Sequence, residues 1–247
     1  MNEIIFFNIR IHPLSRSEFL NTIETNLKNG NQIIQSGLNA ASFNELISNK
    51  ELKQAYINSD LINIDGMSVV WALRFLGNEV PERVACPDLA EDILAMAEKN
   101  NFRVFLFGAK EKNLLLSIKR LQDRYPKLLI AGFRNGYYKE DEELAIVDMI
   151  NSANPDILFL GMPSPRKELF VEKYRQNLSA KYIFGVGGLF DIFSGLKKRA
   201  PKWLQNIGME WFYRFAQEPF RMWRRYLIGN FKFIWLVLKE KNKRNKI

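Results

Sequence analysis

Asp65 is the residue of this sequence best placed to do chemistry. It follows the apolar run DLINI (60–64) and, through Gly66, precedes a helix-period stretch that starts at Met67. A carboxylate at such a transition has two uses. It can cap the helix, with glycine as the permissive turn residue. It can also act as a general base. An exposed aspartate, with a pKa of ~3.9, strips a proton from an alcohol poorly, and desolvation by Ile64, Met67 and Val69 would raise that value. Position alone leaves both roles open.

Other residues stand at comparable points. In open α/β sheets the binding crevice lies beyond the carboxyl ends of the strands. Asn39, Gly108, the segment 161–167 and the segment 185–191 all follow apolar runs. The glycines of FGAKEKN (107–113) and GVGGLFD (185–191) would let a phosphate approach backbone amides and the positive end of a helix. Tight turns without a ligand explain them equally well. A dinucleotide fingerprint starting at Gly185 would need glycine where Phe190 stands, which disfavours a nicotinamide enzyme. No Asp-x-Asp occurs, KEDEE (139–143) reads as a solvated helix start, and one cysteine with one histidine cannot build the usual zinc site. No metal and no cofactor are expected. Arg221, Arg224 and Arg225 are spaced for one face of a helix that Pro219 could open, a geometry suited to phosphate oxygens or simply to solvent.

Strands linked by helices must position these residues. Short apolar runs alternate with helix-period segments to about residue 195, the pattern of a mostly parallel α/β sheet. Strands are expected at 3–11, 32–38, 60–64, 103–109, 127–133, 156–162 and 181–187. Helices are expected at 17–28, 42–57, 67–76, 88–100, 114–125, 140–152 and 166–176. The fold class is therefore α/β, a Rossmann-like sheet flanked by helices. The rhythm changes after FSGLKKRAPKW (193–203), which divides a core, 1–196, from a helical appendage, 197–247, whose last nine residues are expected to fray.

The charge follows the same division. Residues 197–247 carry 14 Lys and Arg against 3 Glu, whereas residues 1–196 carry 22 basic and 24 acidic side chains. The appendage also holds four of the five Trp. Basic and aromatic together make an interfacial composition. Its longest uncharged apolar run, FIWLVL (233–238), is far below the ~20 residues a bilayer crossing needs. The appendage is expected to lie on a membrane without spanning it. The lone Cys86 suits a reducing compartment, and the start of the chain lacks the charge pattern of a signal peptide.

The segments GLNA (37–40), SDLINIDGMSVVWALRFLG (59–77), PERVACPDL (81–89), GVGGLFDIFSGLKKRAPKW (185–203) and MEWFYRFAQEPFRMWRRYL (209–227) resemble, in order, the WecG/TagA/CpsF glycosyltransferases. The resemblance implies an inverting, metal-independent hexosyltransferase of bacterial envelope polysaccharide synthesis. Its donor would be a UDP-sugar and its acceptor a sugar linked through diphosphate to a polyprenyl lipid. It further implies that Asp65 is the base, that Gly37, Asn39, Arg83, Lys167, Gly187 and Asp191 line the donor and acceptor pocket, and that Arg214, Arg221 and Arg224 hold the lipid diphosphate. The implied location is peripheral, on the cytoplasmic face of the inner membrane. Three positions depart from the family pattern. Gly37 stands where Thr is usual, Cys86 where Gly is usual, and GMPSPRKE (161–168) is two residues longer than the family loop, with Lys167 in place of Gln.

Two other classes compete for the same features. A basic, aromatic tail also suits single-stranded RNA, which would make this an RNA-binding or RNA-modifying α/β protein. The tail could instead be a homo-oligomer interface of a non-enzymatic module. The glycosyltransferase reading assigns no nucleic acid partner.

Overall fold

The computed structural model describes residues 3–244. Its centre is a six-stranded sheet of β3 (Ile33–Leu38), β4 (Leu61–Ile64), β5 (Arg103–Gly108), β6 (Leu129–Arg134), β7 (Ile157–Gly161) and β8 (Tyr182–Gly185). The spatial order is β4-β3-β8-β7-β5-β6, and every pairing is parallel. Parallel strands are covered on both faces, so they read as continuous apolar runs. In β7 all five residues are buried.

The first expected strand, 3–11, is instead a hairpin of β1 (Ile4–Phe6) and β2 (Ile9–Ile11). Phe7 and Asn8 both take positive φ, 51° and 66°, the paired left-handed residues of a tight two-residue turn. The hairpin docks on the β4 edge, where Ile62 donates its N–H to His12 Nδ1 at 3.0 Å and His12 N–H returns to the Ile62 carbonyl.

Helices cover both faces. On one lie α1 (Arg16–Asn29), α5 (Cys86–Asn100), α6 (Glu111–Arg124) and α9 (Leu189–Phe193), packed through Phe19, Ile93, Leu114 and Phe190. On the other, α7 (Glu143–Ser152) and α8 (Arg166–Tyr174) bury Ile150 and Phe170 against β5 and β7. The helix expected over 42–57 is two, α2 (Ala40–Ser48) and α3 (Lys50–Ile57), because Asn49 adopts an extended conformation and caps the second. α4 is Met67–Phe75.

The appendage contains α10 (Lys202–Asn206), α11 (Glu210–Gln217), α12 (Pro219–Trp223), a π-helical turn over Arg224–Ile228, and α13 (Gly229–Arg244). It packs on the core. Phe233 of α13 is buried with its ring 5.2 Å from that of Phe43 on α2, and Val237 joins the same cluster. This anchoring carries α13 through Arg244, so six of the nine terminal residues expected to fray are helical. Residues 245–247 lie outside the described residues. Among the described residues no helix is long and apolar enough to cross a membrane.

Candidate active site

The order of the sheet creates a crevice. β5 connects outward through α6 to β6, whereas its neighbour β7 connects the opposite way through α8 to β8. Adjacent strands whose connections diverge leave the ends of their loops apart, and ligands bind there. The two strands end in Gly108 and Gly161. Gly108 has φ 145°, and the Gly161 backbone fills the space a side chain there would need. The crevice opens into a cavity of about 1260 Å³ that reaches from Gly136 and Met162 across Gly187 and Asp191 to Asp65.

Asp65 follows β4 directly. Its backbone N–H donates to the Leu38 carbonyl at 2.9 Å, which pins the end of β4 to β3. The side chain does not cap α4, whose N-cap is Gly66 with no side-chain bond. It reaches sideways instead. Oδ1 accepts the Cys86 N–H at 2.8 Å, at the first turn of α5, and Oδ2 accepts from Asn39 Nδ2 at 3.1 Å. Two bonds leave part of the acceptor capacity of a carboxylate unused. Asp65 is half-buried and lines two cavities, the large one and a second beneath α13.

Asn39 is fixed by its own backbone duties. It is the N-cap of α2, its Oδ1 accepting from Ala41 N–H and Ser42 N–H at 3.1 Å each, so its Nδ2 is aimed at Asp65. Asn39, expected to line the pocket, is thus in direct contact with Asp65. Gly37 and Lys167 also line the large cavity. The Lys167 ammonium pairs with the buried Glu168 carboxylate, and its stem lies along Gly185. Asp191 is held by Asn113 Nδ2 at 2.8 Å and by Lys197 Nζ at 3.1 Å. Gly187 takes φ 58°. Burial first, and the Asp65 charge second, push the Cys86 thiol well above its ordinary pKa, so it stays protonated.

The arginines divide into two sets. Arg83 Nη2 donates to Glu210 Oε2 at 2.9 Å and Arg214 Nη2 to Oε1 of the same carboxylate at 3.2 Å. Arg199, 3.9 Å from that oxygen, makes a bidentate pair with Asp88 at 2.7 and 3.0 Å. Burial opposes ionisation of Asp88, but Arg199 and Lys202 outweigh it and bring the pKa to about 2. The buried Arg83–Glu210 pair joins α11 to the core. Arg214 belongs to both sets: keeping its bond to Glu210, it lines the large cavity with Arg224 and Arg225, and Arg214 and Arg225 line the smaller one as well. The side chain of Arg221 lies outside the described residues. Simple α-helical spacing does not extend through this region, because the Gly229 N–H bonds back to the Arg224 carbonyl in a wider π turn.

Sequence reasoning assigns no site role to Glu210, Trp71, Phe75 or Tyr226, all of which border the smaller cavity. Glu210 was one of only three acidic residues in a strongly basic tail, the signal that could have marked it. Among the described residues no group of three or more His, Cys, Asp and Glu side chains gathers as a metal site.

The chain is 35% identical over 199 residues to the N-acetylglucosaminyldiphosphoundecaprenol N-acetyl-beta-D-mannosaminyltransferase of Bacillus subtilis, covering 80% of this chain and 76% of that protein. It is 34% identical over 195 residues to the enzyme of the same name from Bacillus spizizenii, covering 79% and 74%. Residues 4–247 match the model of the glycosyl transferase WecG/TagA/CpsF family, and the chain belongs to that family.

Proposed function

We propose that this glycosyltransferase moves a hexose from a UDP-sugar to a sugar carried by polyprenyl diphosphate, with inversion, without a metal and with Asp65 as general base. The names of the Bacillus relatives support the acceptor class, since each acts on an N-acetylglucosaminyl diphosphoundecaprenol. They give no support to the RNA-binding reading of the tail. The donor nucleotide is assigned to the crevice beyond β5 and β7, where Gly187 and Gly188 line the cavity and leave the space of a side chain open. The diphosphate of the lipid acceptor falls to the cavity arginines Arg214, Arg224 and Arg225, whose guanidinium groups suit phosphate oxygens.

The observation that carries the reading is the place of Asp65 at the meeting of two cavities. A donor on one side and an acceptor on the other would both reach its carboxylate. The acceptor oxygen attacks the anomeric carbon as the bond from that carbon to the diphosphate breaks. The hydroxyl proton passes to Asp65, and UDP leaves with the bonding electrons. General-base catalysis contributes ~10² to 10⁴ in rate. Asp65→Asn, which keeps an acceptor for the Cys86 N–H, is expected to lose at least about a hundredfold in kcat with an unchanged melting temperature. A loss below tenfold would leave Asp65 only its structural role at α5. The one-bond C1–H1 coupling of the product, which separates the anomers even for a manno-configured sugar, checks inversion.

The same reading seats the enzyme on the cytoplasmic face of the bacterial inner membrane, held from one side by its tail. Exposed Trp203, Phe231, Trp235 and Leu238 beside the tail's cations support it.

A further inference from the structure

The second cavity, of about 500 Å³, lies between α4 and α13. It shares six lining residues with the first: Asn39, Ala41, Asp65, Pro87, Arg214 and Arg225. The carboxylate and two guanidinium groups therefore stand where the cavities meet. Away from that junction the walls change character. α4 contributes Met67, Trp71 and Phe75, and α13 contributes Phe233, Ile234 and Leu238. The other charged pair on the wall, Arg83 and Glu210, is neutralised by its 2.9 Å contact.

The inner wall is fixed, with Phe233 at 3% and Val237 at 6% exposure. The outer wall is not covered: Trp71, Phe75, Ile234 and Leu238 are 48, 50, 53 and 48% exposed. An apolar trough with an open apolar rim marks a binding surface. Along the trough the chemistry runs from carboxylate to cations to hydrocarbon.

We propose that this cavity binds the isoprenoid end of the acceptor. Its first prenyl units lie between α4 and α13, its diphosphate meets Arg214 and Arg225, and its sugar hydroxyl meets Asp65. The site rests on the acceptor class proposed above and adds recognition of the hydrocarbon itself. The order of groups in a sugar diphosphate lipid matches the order of the walls. The remainder of a long polyprenyl chain leaves over the exposed rim of Trp71 and Leu238, the side that carries α13 and its exposed aromatic rings. Each methylene buried there strengthens binding by roughly fourfold.

The test uses the full chain and two acceptors carrying N-acetylglucosamine diphosphate, one on a farnesyl and one on an ethyl group. The KM for the farnesyl acceptor is expected to be at least about a hundredfold lower. Ala72→Phe, which fills the trough, should shrink that ratio below tenfold. Because Ala72 is buried and its variant could misfold, Trp71→Ser with Leu238→Ser, at half-exposed positions, gives a second measure of the same ratio. Equal KM values for the two acceptors in the unaltered enzyme would overturn the proposal. So would variants that lose sedimentation with phospholipid vesicles but keep the full farnesyl preference, an outcome that gives the trough to a bilayer lipid. Transfer to the ethyl acceptor separates this failure from failure of the reaction. If neither acceptor is used with any UDP-sugar, the proposed reaction falls and the site falls with it.

Discussion

The thiol of Cys86 occupies the space that a side chain at position 37 would need. A Cβ on Gly37 would lie 2.5 Å from Cys86 Sγ, while its next neighbours, Asp65 Cβ and Asn63 Oδ1, stand at an ordinary 3.5 and 3.6 Å. If Thr at 37 and Gly at 86 are the family pattern, as the resemblance implies, the two departures are one exchange of volume, from the end of β3 to the start of α5. Gly37→Ala alone should cost about 1–3 kcal/mol, the usual penalty of overpacking. Adding Cys86→Ala removes the colliding sulfur and should recover most of it. A denaturant double-mutant cycle measures the coupling, expected at about 1 kcal/mol or more. Strict additivity would mean that the two positions do not share the space.

Asn39 does two jobs that one substitution can separate. Asparagine and aspartate are nearly equal as N-caps, so Asn39→Asp should keep α2 capped. It also replaces the donor to Asp65 by a second carboxylate, and two such groups at one site cannot both ionise cheaply. We expect kcat at neutral pH to fall at least about tenfold, with the acid limb of the pH–rate profile moved to higher pH. Asn39→Ala should instead lose about 1 kcal/mol of stability from the missing cap. An aspartate variant with the original rate and profile would reduce Asn39 to a cap.

The sheet was legible because buried parallel strands are written as uninterrupted apolar runs such as DILFL, and their order places Asp65 and Asn39 at strand ends. The hairpin at 3–11 was not, because its turn is Phe7-Asn8 rather than the Asn-Gly or Asp-Gly pair that announces left-handed residues. The break at Asn49 was hidden for a similar reason: a polar residue within helical periodicity can continue a helix or cap the next one. Residue types suggested Asp65, but not which helix it would serve, since its partner Cys86 is 21 positions away. The docking of α13 depends on Phe233 meeting Phe43, a long-range contact that local patterning does not encode.

Glu210 is the pin between core and appendage. Its side chain is 11% exposed and Arg83 opposite it 13%, so neither charge has water to fall back on. Removing one partner of a buried pair costs about 3–5 kcal/mol because the other is left stranded. Glu210→Ala should therefore loosen α11 and the adjoining α10. Hydrogen exchange should rise there at least about tenfold while the amides of β7 and β8 stay protected. Arg83→Ala combined with Glu210→Ala should cost less than the sum of the two single changes. Unaltered exchange in α10 and α11 would show that the apolar contacts of α13 alone hold the appendage.

Membrane attachment through the tail needs a test that leaves the core intact. Deleting everything after Lys202 is unsuitable, because Phe233 and Val237 belong to the cluster that contains Phe43 and Leu73. Lys232, Lys239 and Lys243 are exposed on α13 and can be changed without opening that cluster. Lys239 lies over the Trp235 ring at 5.1 Å, which puts charge and aromatic surface side by side. Each cation near an anionic leaflet contributes ~1 kcal/mol, so reversing all three to glutamate should weaken vesicle binding by at least a hundredfold. Co-sedimentation of the unaltered protein should require anionic lipid and decline with salt as the charges are screened. Trp235→Ser with Phe231→Ser should weaken binding in a way that salt does not mimic, since it removes ring insertion and leaves the charge in place. Binding that survives both sets of changes would assign the membrane contact to another face of the protein, most directly to the Trp71 and Phe75 surface of α4.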